Sequence, residues 1–141
     1  MTDAIAPDKR TPGIVIFVAV LNFISTAFFL FLATIAILML VFGNFVGIYD
    51  YMTTQVARYS PQIKLTLGVN LIMGLLLAVS AFFSVFHLVT GIGLLKGKKV
   101  FWYIQIALSV LGLLGFPIAT ILNTIILVFF FQSATRDYFK V

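Results

Sequence analysis

The chain contains no cysteine and no glutamate, and its four acids, Asp3, Asp8, Asp50 and Asp137, all lie outside the long apolar runs. Without cysteine there is no disulfide framework, no thiolate metal site and no thiol chemistry. With so few acids there is no carboxylate pair for general acid–base work, and no carboxylate at membrane depth of the kind that proton-coupled transporters keep. The single histidine, His87, has no acid to orient it and no companion ligands, which makes a poor metal site and no catalytic triad; it reads as a helix-packing or interfacial residue, with a proton relay, haem ligand or substrate contact as the alternative. Charge is scarce altogether: 9% of the 141 residues are charged and 62% are hydrophobic. That leaves too little polar surface to cover a water-soluble globule of this size, and the chain is expected in a bilayer.

What the sequence has in place of charge is length of apolar run. Crossing about 30 Å of hydrocarbon takes roughly 20 helical residues, and four runs are read as spans, at 13–42, 63–95, 99–114 and 117–133, with an outer loop at 43–62. The first exceeds the hydrophobic region of a cleaved signal peptide and reads as an uncleaved anchor, long enough to tilt. The loop holds Tyr49, Tyr51 and Tyr59, and part of it fits either a short helix in the headgroup region or an irregular segment. Trp102 and Tyr103 follow the Lys96-Gly97-Lys98-Lys99 turn, where an aromatic belt is expected. Gly115-Phe116-Pro117 breaks the pattern between the third and fourth runs, and the tail from Gln132 to Val141 is amphipathic, suited to an interface.

The formal charge of +5 would suggest nucleic acid in a soluble protein, but these bases flank apolar runs and read as topology determinants. Lys9, Arg10, Lys96, Lys98, Lys99, Arg136 and Lys140 fall on one side of a four-span arrangement, and only Arg58 and Lys64 on the other. That imbalance predicts a single all-α integral membrane domain over 1–141, an up-down bundle of four transmembrane helices with both termini and the middle turn in the cytoplasm. No nucleic-acid partner, cofactor or metal is expected.

Uncharged polar residues gather by helical angle. At 100° per residue, Thr66, Asn70, Gly74, Ala78, Ser80, Ala81, Ser84, His87 and Gly91 share about half of the second span. The first span has Ala19, Asn22, Ser25, Thr26, Ala33 and Ala36 on one side, the third Gln105, Ser109 and Gly112, and the fourth Ala119, Thr120, Asn123 and Thr124. In lipid a helix turns small residues and amides toward its neighbours. Asn22, Asn70, Ser84, His87, Gln105 and Asn123 are therefore the candidate polar interior. Depth divides them into a cytoplasmic cluster with Asn22, Gln105, Ser84 and His87, and an outer one with Asn70, Asn123 and Thr124. These clusters either line a ligand or permeation site or hold helices together.

The segment from Gly91-Ile92-Gly93-Leu94-Leu95-Lys96-Gly97-Lys98-Lys99 through Phe116-Pro117-Ile118-Ala119-Thr120 to Arg136-Asp137-Tyr138-Phe139 resembles small bacterial four-span membrane proteins of unknown function. Those carry a basic turn, a Phe-Pro-Ile-Gly-Thr-like hairpin and a final Tyr-Phe; here Ala119 replaces the glycine. The resemblance implies a multi-pass protein of a bacterial inner membrane and no particular reaction. The expected function is non-enzymatic: an accessory or scaffold subunit that packs against itself or a larger membrane complex. The alternative is an oligomeric channel or transporter for a neutral or lipophilic solute. Lys96, Lys98 and Lys99 are topology determinants, or contacts for lipid headgroups.

Overall fold

The computed structural model describes residues 10–43, 47, 51, 54–55, 65–115 and 117–141. Among them the only regular structure is helical: α1 (Gly13–Phe42), α2 (Leu65–Leu95), α3 (Lys99–Gly112), α4 (Ile118–Phe130) and α5 (Ser133–Phe139). Apolar runs of this length become helices because hydrocarbon offers no partner for backbone N–H and C=O groups, and a helix satisfies both within one segment. The expected loop at 43–62 lies mostly outside the described residues.

Two of these helices, α1 and α2, are long and apolar enough to cross a membrane, and a third candidate arises if α4 and α5, bent by 73° at their junction, count as one broken span. At 1.5 Å per residue, the 30 residues of α1 reach about 45 Å. The 14 residues of α3 reach about 21 Å, less than the hydrocarbon thickness. The third and fourth runs, expected at 99–114 and 117–133, are thus shorter as helices than as apolar sequence. Gly115 and Pro117 end one and delay the next, and Gln132 adopts an extended conformation at the bend.

The described residues divide into two compact units, one made of those within Met1–Phe23 and Leu88–Val141, the other of those within Ile24–His87. In the second unit, α1 and α2 run antiparallel: Thr26 pairs with Ser84 and Phe29 stacks on Phe83. Ala33, Ala36 and Ser80 are buried there, small residues whose size allows close backbone approach.

The first unit has a core of Val15, Val18, Leu94, Trp102, Ile126, Phe130 and Phe139. Its α3 and α4 are antiparallel, joined at one end by Trp102 to Phe130 and at the other by Thr120 to Leu113. At the tip of this hairpin, Leu111, Leu114 and Ile118 are 65%, 84% and 79% exposed. The tip satisfies several of its own backbone groups. The Thr120 hydroxyl donates to the Leu113 carbonyl at 2.8 Å, the Gly115 N–H to the Gly112 carbonyl and the Thr120 N–H to the Gly115 carbonyl.

Candidate functional site

The polar interior resolves into separate hydrogen-bonded groups. In the first unit, Asn22 Nδ2 donates to the Gln105 side-chain carbonyl at 3.0 Å and to the Val18 backbone carbonyl at 2.9 Å. Gln105 Nε2 donates in turn to Ser109 Oγ at 3.3 Å, one helical turn along α3. All three side chains are buried. Helical spacing puts Gln105 and Ser109 on one face, and Asn22 meets that face from α1. This chain consumes amide and hydroxyl capacity that would otherwise be stranded in an apolar interior, where an unmade hydrogen bond costs more than a made one contributes.

In the second unit the bonds are reciprocal: Ser84 Oγ donates to the Thr26 carbonyl and Thr26 Oγ1 donates to the Ser84 carbonyl. His87 is half-buried one turn further along α2, its ring stacked on Phe29 at 5.7 Å and 11° and edge-on to Phe86. Its surroundings are aromatic, an arrangement suited to packing, and Phe29 and Phe83 continue the stack.

Two expected positions need correction. Asn70 lies on an exposed face of α2 and not in a polar interior, and Ala78 and Ala81 are exposed with it. The buried residues of α2 are Ser80, Ser84, Thr90, Gly91, Gly93 and Leu94, and none of the residues described from 68 to 79 joins them. Asn123 is half-buried against Gly112, where an added Cβ would collide with its amide, and it donates to the Ala119 carbonyl of its own helix at 2.7 Å. Thr124 is exposed and bonds back to Thr120. The outer cluster of Asn70, Asn123 and Thr124 is therefore not a shared network, because the two α4 side chains turn their polarity back onto their own backbone.

Trp102 also departs from expectation. It is 7% exposed, its Nε1 donates to the Phe130 carbonyl at 3.1 Å, and its ring meets Tyr103 and Phe131 edge-on. Tyr103, 53% exposed, occupies the outward position expected of a belt residue. Phe130 ends α4, so the indole satisfies one of the carbonyls that every helix C-terminus leaves unpaired.

The basic turn is a built structure. Lys98 N–H bonds to the Gly93 carbonyl and Gly97 N–H to the Leu94 carbonyl, the six-to-one and five-to-two pattern of a Schellman cap. Gly97 takes φ 62°, the left-handed conformation that this cap needs and that glycine adopts without a Cβ penalty. The Leu95 carbonyl, left over by α2, accepts the Tyr138 hydroxyl at 2.6 Å, and that hydroxyl accepts from Thr11 Oγ1 at 3.3 Å. Three segments distant in sequence, all flanked by basic residues, are tied together at one end of the first unit. Lys96, Lys98 and Lys99 are exposed there, Lys99 Nζ lying 6.0 Å from the centre of the Tyr103 ring.

Helical spacing placed Ser109 with Gln105 on the inward stripe, where the structure has it, whereas the hydrogen bonds of Tyr138 and Trp102 to distant helix carbonyls were not foreseen. Comparison with known proteins returns no match to a family model, to a curated protein or to a solved structure.

Proposed function

We propose that this chain is a non-enzymatic small membrane protein, an accessory or scaffold subunit that works through helix–helix packing. The observation that supports this reading most directly is how the interior polarity is spent. Among the described residues no buried side-chain nitrogen or oxygen lacks a hydrogen-bond partner, and the buried amides and hydroxyls described above bond to one another or to nearby carbonyls. Such bonds act as glue between helices in lipid. The outward faces carry large apolar side chains, Phe28, Phe31, Leu71 and Phe82 among them, which suit lipid or a neighbouring helix.

The proposed topology places the termini and the Lys96–Lys99 turn in the cytoplasm of a bacterial cell, with four segments in the inner membrane. The first two segments cross it. The α3–α4 hairpin enters from the cytoplasmic side and holds its tip within the hydrocarbon, a placement supported by the roughly 21 Å reach of α3 and the exposed leucine and isoleucine at the tip. The bend between α4 and α5 returns the chain to the surface. The Thr11–Tyr138–Leu95 link supports the shared side of the three basic segments.

The test is the mass of the protein extracted gently from native membrane. A complex larger than one chain, either a homo-oligomer or a complex with a defined second protein, is expected. A strictly monomeric species with no copurifying protein would remove the scaffold reading.

A further inference from the structure

The basic end of the first unit carries more organisation than topology demands. Lys96, Gly97 and Lys99 from the α2–α3 turn, and Tyr138 and Lys140 from the end of α5, line an open depression of about 560 Å³, together with Leu95 and Phe139. Three lysines are among the residues that line it and no aspartate is; Asp137, the nearest acid in the sequence, is exposed and outside the lining. Like charges repel modestly at an exposed surface, and an anion between them turns that repulsion into attraction. Orienting a span in the membrane needs bases near its end, and does not need them brought together from segments 43 residues apart.

The walls are held in place. The Schellman cap fixes the turn, the Tyr138 hydroxyl anchors α5 to the Leu95 carbonyl, and the Tyr138 ring packs 3.2 Å from where a Cβ on Gly97 would sit. Phe139 is 1% exposed, so the residue beside Lys140 is locked in the core. Lys140 itself has φ 56°, a left-handed backbone that a side-chain-bearing residue adopts at some cost. The depression lies where α2 emerges, at the depth of lipid headgroups in the proposed topology.

We propose that this depression binds a phosphate group, carried by an anionic lipid headgroup or present as free phosphate, with Lys96, Lys99 and Lys140 donating N–H bonds to its oxygens. Ammonium groups serve as point charges for phosphate, and an apolar part beside them suits the first methylenes of a lipid acyl chain. The site goes beyond the scaffold reading, and its lipid arm rests on the topology proposed above while its free-phosphate arm does not.

The test uses the full chain in detergent and two charge-matched variants. K96Q/K140Q removes two lysines that line the depression; R10Q/R136Q removes two bases outside its lining. Both leave the basic side in excess, and circular dichroism checks that both retain the helical content of the parent. Native mass spectrometry then follows binding of phosphatidylglycerol against phosphatidylcholine, and titration calorimetry follows inorganic phosphate. The expected result is a preference for phosphatidylglycerol, or saturable phosphate binding, that falls about tenfold in K96Q/K140Q and less than about threefold in R10Q/R136Q. Lipid binding without phosphate binding identifies the headgroup as the ligand, and saturable phosphate binding identifies the free ion. Tyr138→Phe keeps every charge and releases the anchor, so it weakens binding severalfold. Equal losses in the two double variants, or no preference and no phosphate binding in the parent, would overturn the proposal.

Discussion

Asn22 Nδ2 donates to Gln105 Oε1 at 3.0 Å across 83 residues of sequence, joining α1 to α3 inside the first unit. An amide pair of this kind has a measurable signature. Asn22→Leu and Gln105→Leu each leave one buried amide without its main partner, whereas the double variant removes both. A double-mutant cycle in detergent unfolding should give a coupling of about 0.6 to 2 kcal/mol. A coupling indistinguishable from zero would mean that the two amides act independently.

Trp102 is the sole tryptophan, and its indole N–H caps the end of α4 through the Phe130 carbonyl. Trp102→Phe keeps an aromatic ring but strands that carbonyl, and should lower stability by about 1 to 3 kcal/mol. In the parent protein the emission should be resistant to acrylamide, since the ring is enclosed by Tyr103 and Phe131. Ready quenching in the folded state would show that the ring is not enclosed.

Gly97 holds the left-handed position of the α2 cap with the Tyr138 ring close by. Gly97→Ala should destabilise by about 1 to 2 kcal/mol through the Cβ penalty, and Gly97→Asn, which tolerates that conformation better, should lose less of the backbone term. If alanine and asparagine prove equally neutral in thermal unfolding, the cap is not formed as described.

The absence of cysteine makes depth measurable by single-cysteine labelling. Leu114→Cys and Ile118→Cys, at the α3–α4 tip, should resist a membrane-impermeant maleimide from both sides of the membrane. Lys98→Cys should label only from the cytoplasmic side. Labelling of the tip from the outer side would establish a full crossing and retire the shorter hairpin.

Asn70 faces outward on α2. Asn70→Leu should leave unfolding within about 0.5 kcal/mol of the parent, as surface substitutions usually do. A loss above about 1 kcal/mol would place the amide in a contact with another protein or with a second copy.

The helices of the described residues were legible in the sequence because their cause is local. A run such as Gly13–Phe42 has no charge and no proline, and in hydrocarbon it has no alternative to internal hydrogen bonds. Asn22 and Gln105 were legible as inward-facing for a similar reason: an amide in an apolar run must find a partner. Asn70 carries the same residue type in the same kind of run, yet faces outward, because helical angle defines a face without saying how far along the helix a neighbour covers it. Asn123 and Thr124 share a face with Thr120, but a side chain can satisfy itself on its own helix, and nothing in the spacing distinguishes that from a bond across helices.

The Lys96–Lys99 cluster shows the same division. The basic residues, the glycine among them and the apolar run that ends there are properties of adjacent residues, and the sequence alone determined that a helix stops at a charged turn. That Tyr138 reaches the Leu95 carbonyl, that Lys140 joins Lys96 and Lys99 around one depression, and that Trp102 turns inward were decided only by tertiary structure. The 73° bend after α4 brings a distant segment onto the turn, and which orphan carbonyl meets which donor depends on that bend and not on any local preference.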